Sequence, residues 1–114
     1  MSTTVTITIG RNWGRGARED AIGQPMSDAM WRHFQANIDR LLVRAIATVF
    51  VARAIGHGGW DGVDEESATW VAGVDEADDV SFLSRELAQL ARLYLQDAIA
   101  LTAGKTELVE GYTS

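Results

Sequence analysis

A glycine-rich segment with three arginines follows the first predicted strand and is the leading candidate for ligand chemistry. Residues 10–18 read GRNWGRGAR. Guanidinium groups on a glycine-rich backbone can bind phosphate or carboxylate, and an indole can stack on a planar ring. The predicted ligand-binding residues are Arg11, Asn12, Trp13, Arg15 and, from a second glycine-containing segment, Trp60. The alternative is an ordinary strand-to-helix connection with solvated arginines, since neither nucleotide-binding glycine fingerprint is present.

A strongly acidic stretch forms the second candidate. Residues 54–84 contain eight acidic residues and no lysine or arginine. Their spacing does not match a calcium-binding loop, which needs acids at alternate positions and a closing glutamate. We predict that a basic protein is bound by Asp61, Asp64, Glu65 and Glu66. A more specific form of this hypothesis is that these acids imitate nucleic acid and occupy the partner's DNA- or RNA-binding groove. The alternative is a solvated face whose later acids favour the start of a helix.

The two histidines could shuttle a proton or bind a metal. His33 falls in the first predicted helix and His57 in the segment GHGGW, and no H-E-x-x-H spacing is present. We therefore predict no metal and no cofactor. If the chain is an enzyme, His57 is its acid–base residue, and Asn12, Trp13 and Trp60 line the pocket with it.

Composition narrows the remaining functions. The chain has 114 residues, which fits one domain, a net charge of −6 and no cysteine. Disulfides, thiolate catalysis and cysteine-based zinc sites are therefore excluded. The negative net charge argues against general DNA binding. The most apolar stretch, residues 45–52, is too short to cross a bilayer. Residues 1–10 do not resemble a signal peptide, so a cytoplasmic location is predicted.

The hydrophobic pattern predicts a strand and then a helix in the first part of the chain. Residues 4–9 alternate between threonines and the apolar Val5, Ile7 and Ile9, which is typical of a strand with one buried face. Ser27 is a suitable N-cap for an amphipathic helix. The apolar stripe of that helix consists of Trp31, Phe34, Ile38, Leu41, Leu42 and Ala45.

The remaining elements complete a β-α-β-β-α-β order. They are strands at 48–55, 67–72 and 98–102, a helix capped by Asp78 or Asp79, a turn at 104–105 and an extra edge strand at 106–109. The first two of these strands would pair across a long acidic connection at 58–66. This order predicts a single ferredoxin-like α+β sandwich over residues 1–114, with both helices on one face of an antiparallel sheet.

The opposite face of the sheet is predicted to stay uncovered. It would carry Thr4, Thr6, Thr8, Phe50 and Ala100. A mildly apolar sheet face of this kind often pairs about a two-fold axis, so we predict a homodimer. The pattern leaves open which face Trp70 occupies.

Several short motifs resemble those of small uncharacterised proteins from actinobacteria and their phages. The matching motifs are GRN at 10–12, MSDAMW at 26–31, GGWDG at 58–62, EES at 65–67 and YLQDA at 94–98. That family usually has glycine where this chain has Leu95. The resemblance implies a ferredoxin-like fold, a phage origin and hence the host cytoplasm, but it supplies no established activity.

The function predicted from these features is that of a non-enzymatic interaction or sequestering protein. It would be a phage accessory factor that acts on a host component through the acidic segment or the Arg/Trp loop, with a host protein or a small anionic ligand as its partner. Two other hypotheses stay open. One is a small dimeric α+β enzyme of the oxygenase or isomerase type, with a pocket between helices and sheet, and the other is a self-associating virion or scaffold subunit.

Overall fold

The computed structural model describes residues 3–45, 51–60, 63–75, 77–105 and 111, and of residues 51, 52, 58–60, 63, 77 and 105 it describes the backbone alone. Its elements are β1 (Thr3–Gly10), α1 (Asp28–Arg44), β2 (Val51–Trp60), β3 (Val63–Val74), α2 (Ala77–Leu93) and β4 (Ala100–Lys105). The predicted Phe50 and the edge strand at 106–109 lie outside the described residues.

The four strands form one antiparallel sheet in the order β2-β3-β1-β4. β1 lies between β3 and β4, and β2 pairs with β3 as a hairpin. Each helix connects two strands that are not consecutive neighbours in the sheet, which is the topology of a ferredoxin-like α+β fold. The predicted fold class is confirmed.

The core lies between the two helices and one face of the sheet. Val5, Ile7 and Ile9 are at most 1% exposed, whereas the threonines between them are half-buried on the other face. All six residues of the predicted α1 stripe are buried, and Ser27 caps this helix by accepting a hydrogen bond from the amide of Met30 (3.2 Å). The alternation read from the sequence is therefore confirmed.

Trp70 lies on the covered face of the sheet and is fully buried. Its Nε1 donates a hydrogen bond to Oδ1 of Asp39 on α1, over 2.8 Å. The indole ring therefore fills the core while its single donor reaches the half-buried edge of α1. This answers the question that the sequence left open.

The predicted long connection between the hairpin strands is wrong. β2 continues through the glycines to Trp60, which pairs with Val63, so only residues 61 and 62 separate the strands. Glycine weakens a strand but does not end one, and a Cβ at Gly56 would meet nothing within 4 Å. The dipeptide Asp61-Gly62 is itself a strong hairpin signal that the acidic composition obscured.

Two smaller predictions are also corrected. Gly104 and Lys105 do not form a turn, because they belong to β4 and pair with Thr4 and Thr3 of β1. α2 begins at Ala77, so Asp78 and Asp79 lie inside its first turn, where their charges favour the helix dipole, and do not cap it.

Candidate functional site

The glycine-rich segment after β1 folds back on itself. Asn12 bridges to Pro25, the amide of Trp13 donates to the carbonyl of Gln24 (2.9 Å), and the amide of Gly23 donates to the carbonyl of Trp13 (2.9 Å). Gly23 has a φ of 78°, a conformation that suits glycine. Trp13 is half-buried and packs against the core cluster. The predicted stacking residue therefore contributes to packing of the segment.

Arg11 is held by carboxylates from two distant parts of the chain. Its Nη1 lies 2.8 Å from Oε2 of Glu66 and its Nη2 lies 2.7 Å from Oδ1 of Asp28, while its Nε donates to the carbonyl of Met26 (2.8 Å). The side chain is only 17% exposed. We call Arg11, Asp28, Glu66 and the neighbouring Glu65 the Arg11 junction.

The contacts of Arg11 favour its charged form. The hydrogen bond that the Arg11 guanidinium donates to Asp28, followed by the one that it donates to Glu66, raises the pKa of Arg11, and desolvation opposes part of this shift. A group whose pKa is raised on folding stabilises the fold at every pH below its unfolded value. The junction therefore contains a permanent cation whose hydrogen bonds are directed into the protein.

Glu65 reaches the same junction from the opposite face of β3. Its Oε2 accepts a hydrogen bond from the amide of Asn12 (2.9 Å). The carboxylate lies over Gly10, where an added Cβ would come within 2.3 Å of Oε1. Glycine at position 10 thus leaves room for Glu65 to reach across β1. The residues predicted to bind a ligand and those predicted to bind a partner are in direct contact.

The other end of the segment packs on the turn between α2 and β4. The amide of Gly14 donates to the carbonyl of Leu95 (2.9 Å), and the amide of Arg15 donates to Oδ1 of Asp97 (2.9 Å). The Arg15 side chain also pairs with Asp97 at 3.4 Å but is 86% exposed. We call Gly14, Arg15, Leu95 and Asp97 the Leu95 corner.

Leu95 ends α2 in a backbone conformation that glycine normally supplies. Its φ is 53°, its amide donates to the carbonyl of Arg92 (3.2 Å), and the amide of Gln96 donates to the carbonyl of Ala91 (2.8 Å). These two bonds define a Schellman C-cap with Leu95 at its left-handed position.

A hairpin arm extends the sheet beyond the last β1–β3 pair, Gly10 with Ser67. It consists of residues 57–60 and 63–66, four further residue pairs, or about 13 Å of ladder. Asp64 and His57 are exposed on it. The side chain of Trp60 and the whole of Asp61 lie outside the described residues.

A second polar cluster, which the sequence reading missed, joins the two helices. The hydroxyl of Tyr94 lies 2.5 Å from Nδ1 of His33 and accepts a hydrogen bond from Asn37, and the Tyr94 ring stacks on Phe34 with centroids 4.2 Å apart. His33 is exposed, but Tyr94 is only 3% exposed. The sequence does contain a signal for this cluster, namely a tyrosine at the end of one apolar stripe and polar residues on the other helix.

The described residues contain an open groove between α2 and β4, at the sheet edge opposite to β2 and His57. They bring together no group of three or more histidine or acidic side chains that could hold a metal ion. None of the described helices has the length and apolar character needed to cross a membrane.

Comparisons with known proteins identify the fold and no more. No protein-family model matches the chain, and no curated protein sequence matches it. A phage SAM lyase, solved in complex with S-methyl-5′-thioadenosine, is similar with a TM-score of 0.60 at 10% identity, covering 91% of this chain and 81% of the lyase. A de novo designed protein, Foldit4, is similar with a TM-score of 0.56 at 12% identity, covering 94% of this chain and all of the design. At these identities the likeness is one of fold alone, and the predicted actinobacterial or phage origin stays a prediction.

Proposed function

We propose that this chain is a non-enzymatic interaction protein that binds a basic partner through its hairpin arm. The observation that supports this most directly is the extension of the β2–β3 ladder four residue pairs beyond β1. A protruding hairpin presents side chains on both faces and is easily reached by another protein. The arm also carries acids while the whole segment from residue 54 to 84 contains no lysine or arginine, and such a field attracts a basic surface.

The acidic residues of the arm divide into two groups with different roles. Glu65 and Glu66 hold the base of the arm to Asn12 and Arg11. Asp64 is exposed and has no ion-pair partner among the described residues. In this proposal Asp64 makes the contact with the partner together with Asp61, which follows β2 in the sequence, while Glu65 and Glu66 position the arm.

The ligand-sequestering hypothesis receives less support from the same contacts. An anion at Arg11 would have to displace the carboxylates of Asp28 and Glu66, both within 2.8 Å of the guanidinium. Arg15 is exposed but already pairs with Asp97. The enzyme hypothesis lacks a shared pocket in the described part of the chain, where the groove and His57 lie at opposite edges of the sheet.

Two charge-matched double variants test the proposed function. Asp61→Asn with Asp64→Asn removes one charge from the arm and one from the residue next to it. Glu19→Gln with Asp20→Asn removes two charges from exposed residues that follow the glycine-rich segment. The probe is a dye-labelled decalysine peptide, measured by fluorescence anisotropy at low salt. We expect the arm variant to bind about three to ten times more weakly than the control variant, since exposed charge pairs each contribute about 0.2–1 kcal/mol.

The salt dependence and folding of both variants complete this experiment. The difference between them should disappear near 0.5 M salt, where charges on the surface are screened. Circular dichroism melts should show both variants as stable as the parent, because neither change touches the Arg11 junction. Equal weakening by the two variants would mean that the net charge, and not the arm, attracts the peptide, and would overturn the proposal.

We further propose that the chain forms a homodimer through its uncovered sheet face. This is supported by the small uncharged side chains of Thr4, Thr6 and Thr8 on β1 and of their register partners Val71 and Thr102. Flat faces of this kind pack about 10 Å apart as two sheets. Sedimentation velocity should show a dimer that Thr6→Lys converts to a monomer and that Gln89→Lys, on the exposed side of α2, leaves intact. A parent chain that is monomeric at high concentration would contradict it.

The last part of the proposal concerns the location of the protein in the cell. We propose a cytoplasmic location, which in the case of a phage-encoded accessory factor is the cytoplasm of the host. The complete absence of cysteine suits a reducing compartment. No cofactor and no general DNA binding are part of the proposal.

A further inference from the structure

The open groove between α2 and β4 has an apolar lining and a volume of about 460 Å³. Leu87, Ala88 and Ala91 of α2 form one wall, and Ile99 and Leu101 form the other. Ile99 and Leu101 are half-buried and pack against the core, so their inner surfaces are fixed while their outer surfaces face the groove. The groove is therefore a depression beside a sheet edge, lined mainly by small and aliphatic side chains, with the polar Ser84, Arg92, Gln96 and Asp97 also in its lining.

β4 forms one side of this groove and is the edge strand of the sheet that the described residues form. Among the described residues it pairs with β1 alone, from Thr8 with Ala100 to Thr3 with Lys105. The backbone N–H and C=O groups on its other side are directed away from the sheet, next to the groove. Such an edge accepts an additional strand, with main-chain hydrogen bonds supplying affinity and a neighbouring groove receiving alternate side chains.

An arginine lies at one end of the groove. Arg92 lines the groove near the end of α2 and has no ion-pair partner in the part of the chain that the structure describes. Asp97, which lines the same end, is already paired with Arg15. An unpaired guanidinium beside a neutralised carboxylate leaves a site that is complementary to an anion.

We propose that this groove binds the free C-terminal segment of a partner protein as an added antiparallel strand. β4 runs from Ala100, near Arg92, toward Lys105, so an antiparallel neighbour ends beside Ala100 and brings its terminal carboxylate to Arg92. The occupant is an extended segment of about five or six residues, the length of β4, with aliphatic side chains at alternate positions. This surface lies at the sheet edge opposite to the hairpin arm, so the inference does not depend on the proposed function of the arm.

The probe that tests this inference is a pool of dye-labelled hexapeptides with valine, leucine or isoleucine at alternate positions and a free C-terminal carboxylate. The same pool amidated at its C-terminus is the matched control. We expect binding of the free-acid pool by fluorescence anisotropy and at least tenfold weaker binding of the amidated pool. Hydrogen exchange should show protection of the β4 amides when the free-acid pool is bound.

Three variants identify the residues that bind the peptide. Arg92→Gln should remove the preference for the free carboxylate, whereas Arg85→Gln, an exposed arginine of α2 outside the groove lining, should keep it. Ala88→Gln fills the groove from an exposed helix position and should weaken both pools, with an unchanged melting temperature as evidence of folding. Equal affinity for the two pools, or a preference that survives Arg92→Gln, would overturn the proposal. So would the absence of binding at millimolar peptide, or concentration-dependent protection of β4 without peptide, because a second copy of the chain would then occupy the edge.

Discussion

The Arg11 junction and the Leu95 corner attach the two ends of one glycine-rich segment to the rest of the fold, but through different kinds of interaction. At the Arg11 junction a guanidinium that is 17% exposed makes charged hydrogen bonds to Glu66 and Asp28. At the Leu95 corner the arginine is 86% exposed and its ion pair is longer, at 3.4 Å. There the close contact is between backbones, Gly14 against the carbonyl of Leu95 at 2.9 Å.

The difference shows that residue type does not determine the role of these arginines. Arg11 and Arg15 are four positions apart in the same segment and carry the same charge. Arg11 lies between a helix start and a hairpin and donates short charged hydrogen bonds to both, whereas Arg15 is solvated, where an ion pair contributes little. Attachment at the first end should therefore depend on charge and at the second end on the absence of a side chain.

The largest effect that we expect from a single change is at Arg11. Arg11→Gln removes the cation and leaves the carboxylates of Asp28 and Glu66 facing each other, so the melting temperature should fall by about 5–10 °C. Arg15→Gln is the matched control, with the same substitution four residues later, and should change the melting temperature by less than about 2 °C. Circular dichroism melts measure both. Equal shifts would mean that the two ends of the segment are held in the same way.

The next largest effect is expected at Gly14. A Cβ there would lie 2.6 Å from the carbonyl oxygen of Leu95 and 2.8 Å from the amide nitrogen of Asp97, both backbone atoms that cannot rotate away. Gly14→Ala should therefore cost about 1–3 kcal/mol in the free energy of unfolding, measured with urea. Gly16→Ala is the control, since its Cβ would lie no closer than 3.8 Å to the Leu95 side chain. A Gly14→Ala protein as stable as the Gly16→Ala protein would contradict this packing.

Gly10→Ala is expected to lower stability less than Gly14→Ala, because the new Cβ would meet a side chain and not backbone atoms. The atoms nearest to a new Cβ, at 2.3–2.6 Å, belong to the carboxylate of Glu65, which can move aside. Its hydrogen bond from the amide of Asn12 would be lost, at about 1 kcal/mol. In the background Glu65→Ala, the same Gly10→Ala change should therefore cost much less than in the parent chain. A double-mutant cycle that gives additive free energies would contradict the contact.

The sequence predicts local features of this molecule better than its long-range contacts. The alternation of β1, the stripe of α1 and the Ser27 cap depend on neighbours within one element, and each is confirmed. The contact between Arg11 and Glu66 joins positions 55 residues apart, so no spacing rule relates them. The charge pattern separated the arginines of the glycine-rich segment from the acidic stretch at 54–84, but it could not show that folding brings the two into one junction.

The extent of the hairpin arm was missed for a related reason. Glycines at 56, 58 and 59 are poor strand formers, and the acids opposite the last two, Glu65 and Asp64, have low strand propensity. What pairs them is the register of the strands nearer the core, where Trp70 and Ala68 are fully buried and fix the alignment of everything beyond. The signal that could have indicated the short turn was Asp61-Gly62 between two apolar residues.

The smallest expected effect concerns the strained residue of the Leu95 corner. A left-handed backbone costs an ordinary L-residue about 1–2 kcal/mol and costs glycine little, although glycine loses more entropy on folding. Comparison of Leu95→Gly with Leu95→Ala isolates this term, because both remove the exposed leucine side chain and only alanine keeps the penalty of a φ of 53°. We expect the glycine variant to exceed the alanine variant by about 1 kcal/mol in the free energy of unfolding, measured with urea. If the two are equally stable, α2 does not end in a left-handed cap, and the contact of Gly14 with the carbonyl of Leu95 would lose its geometric basis as well.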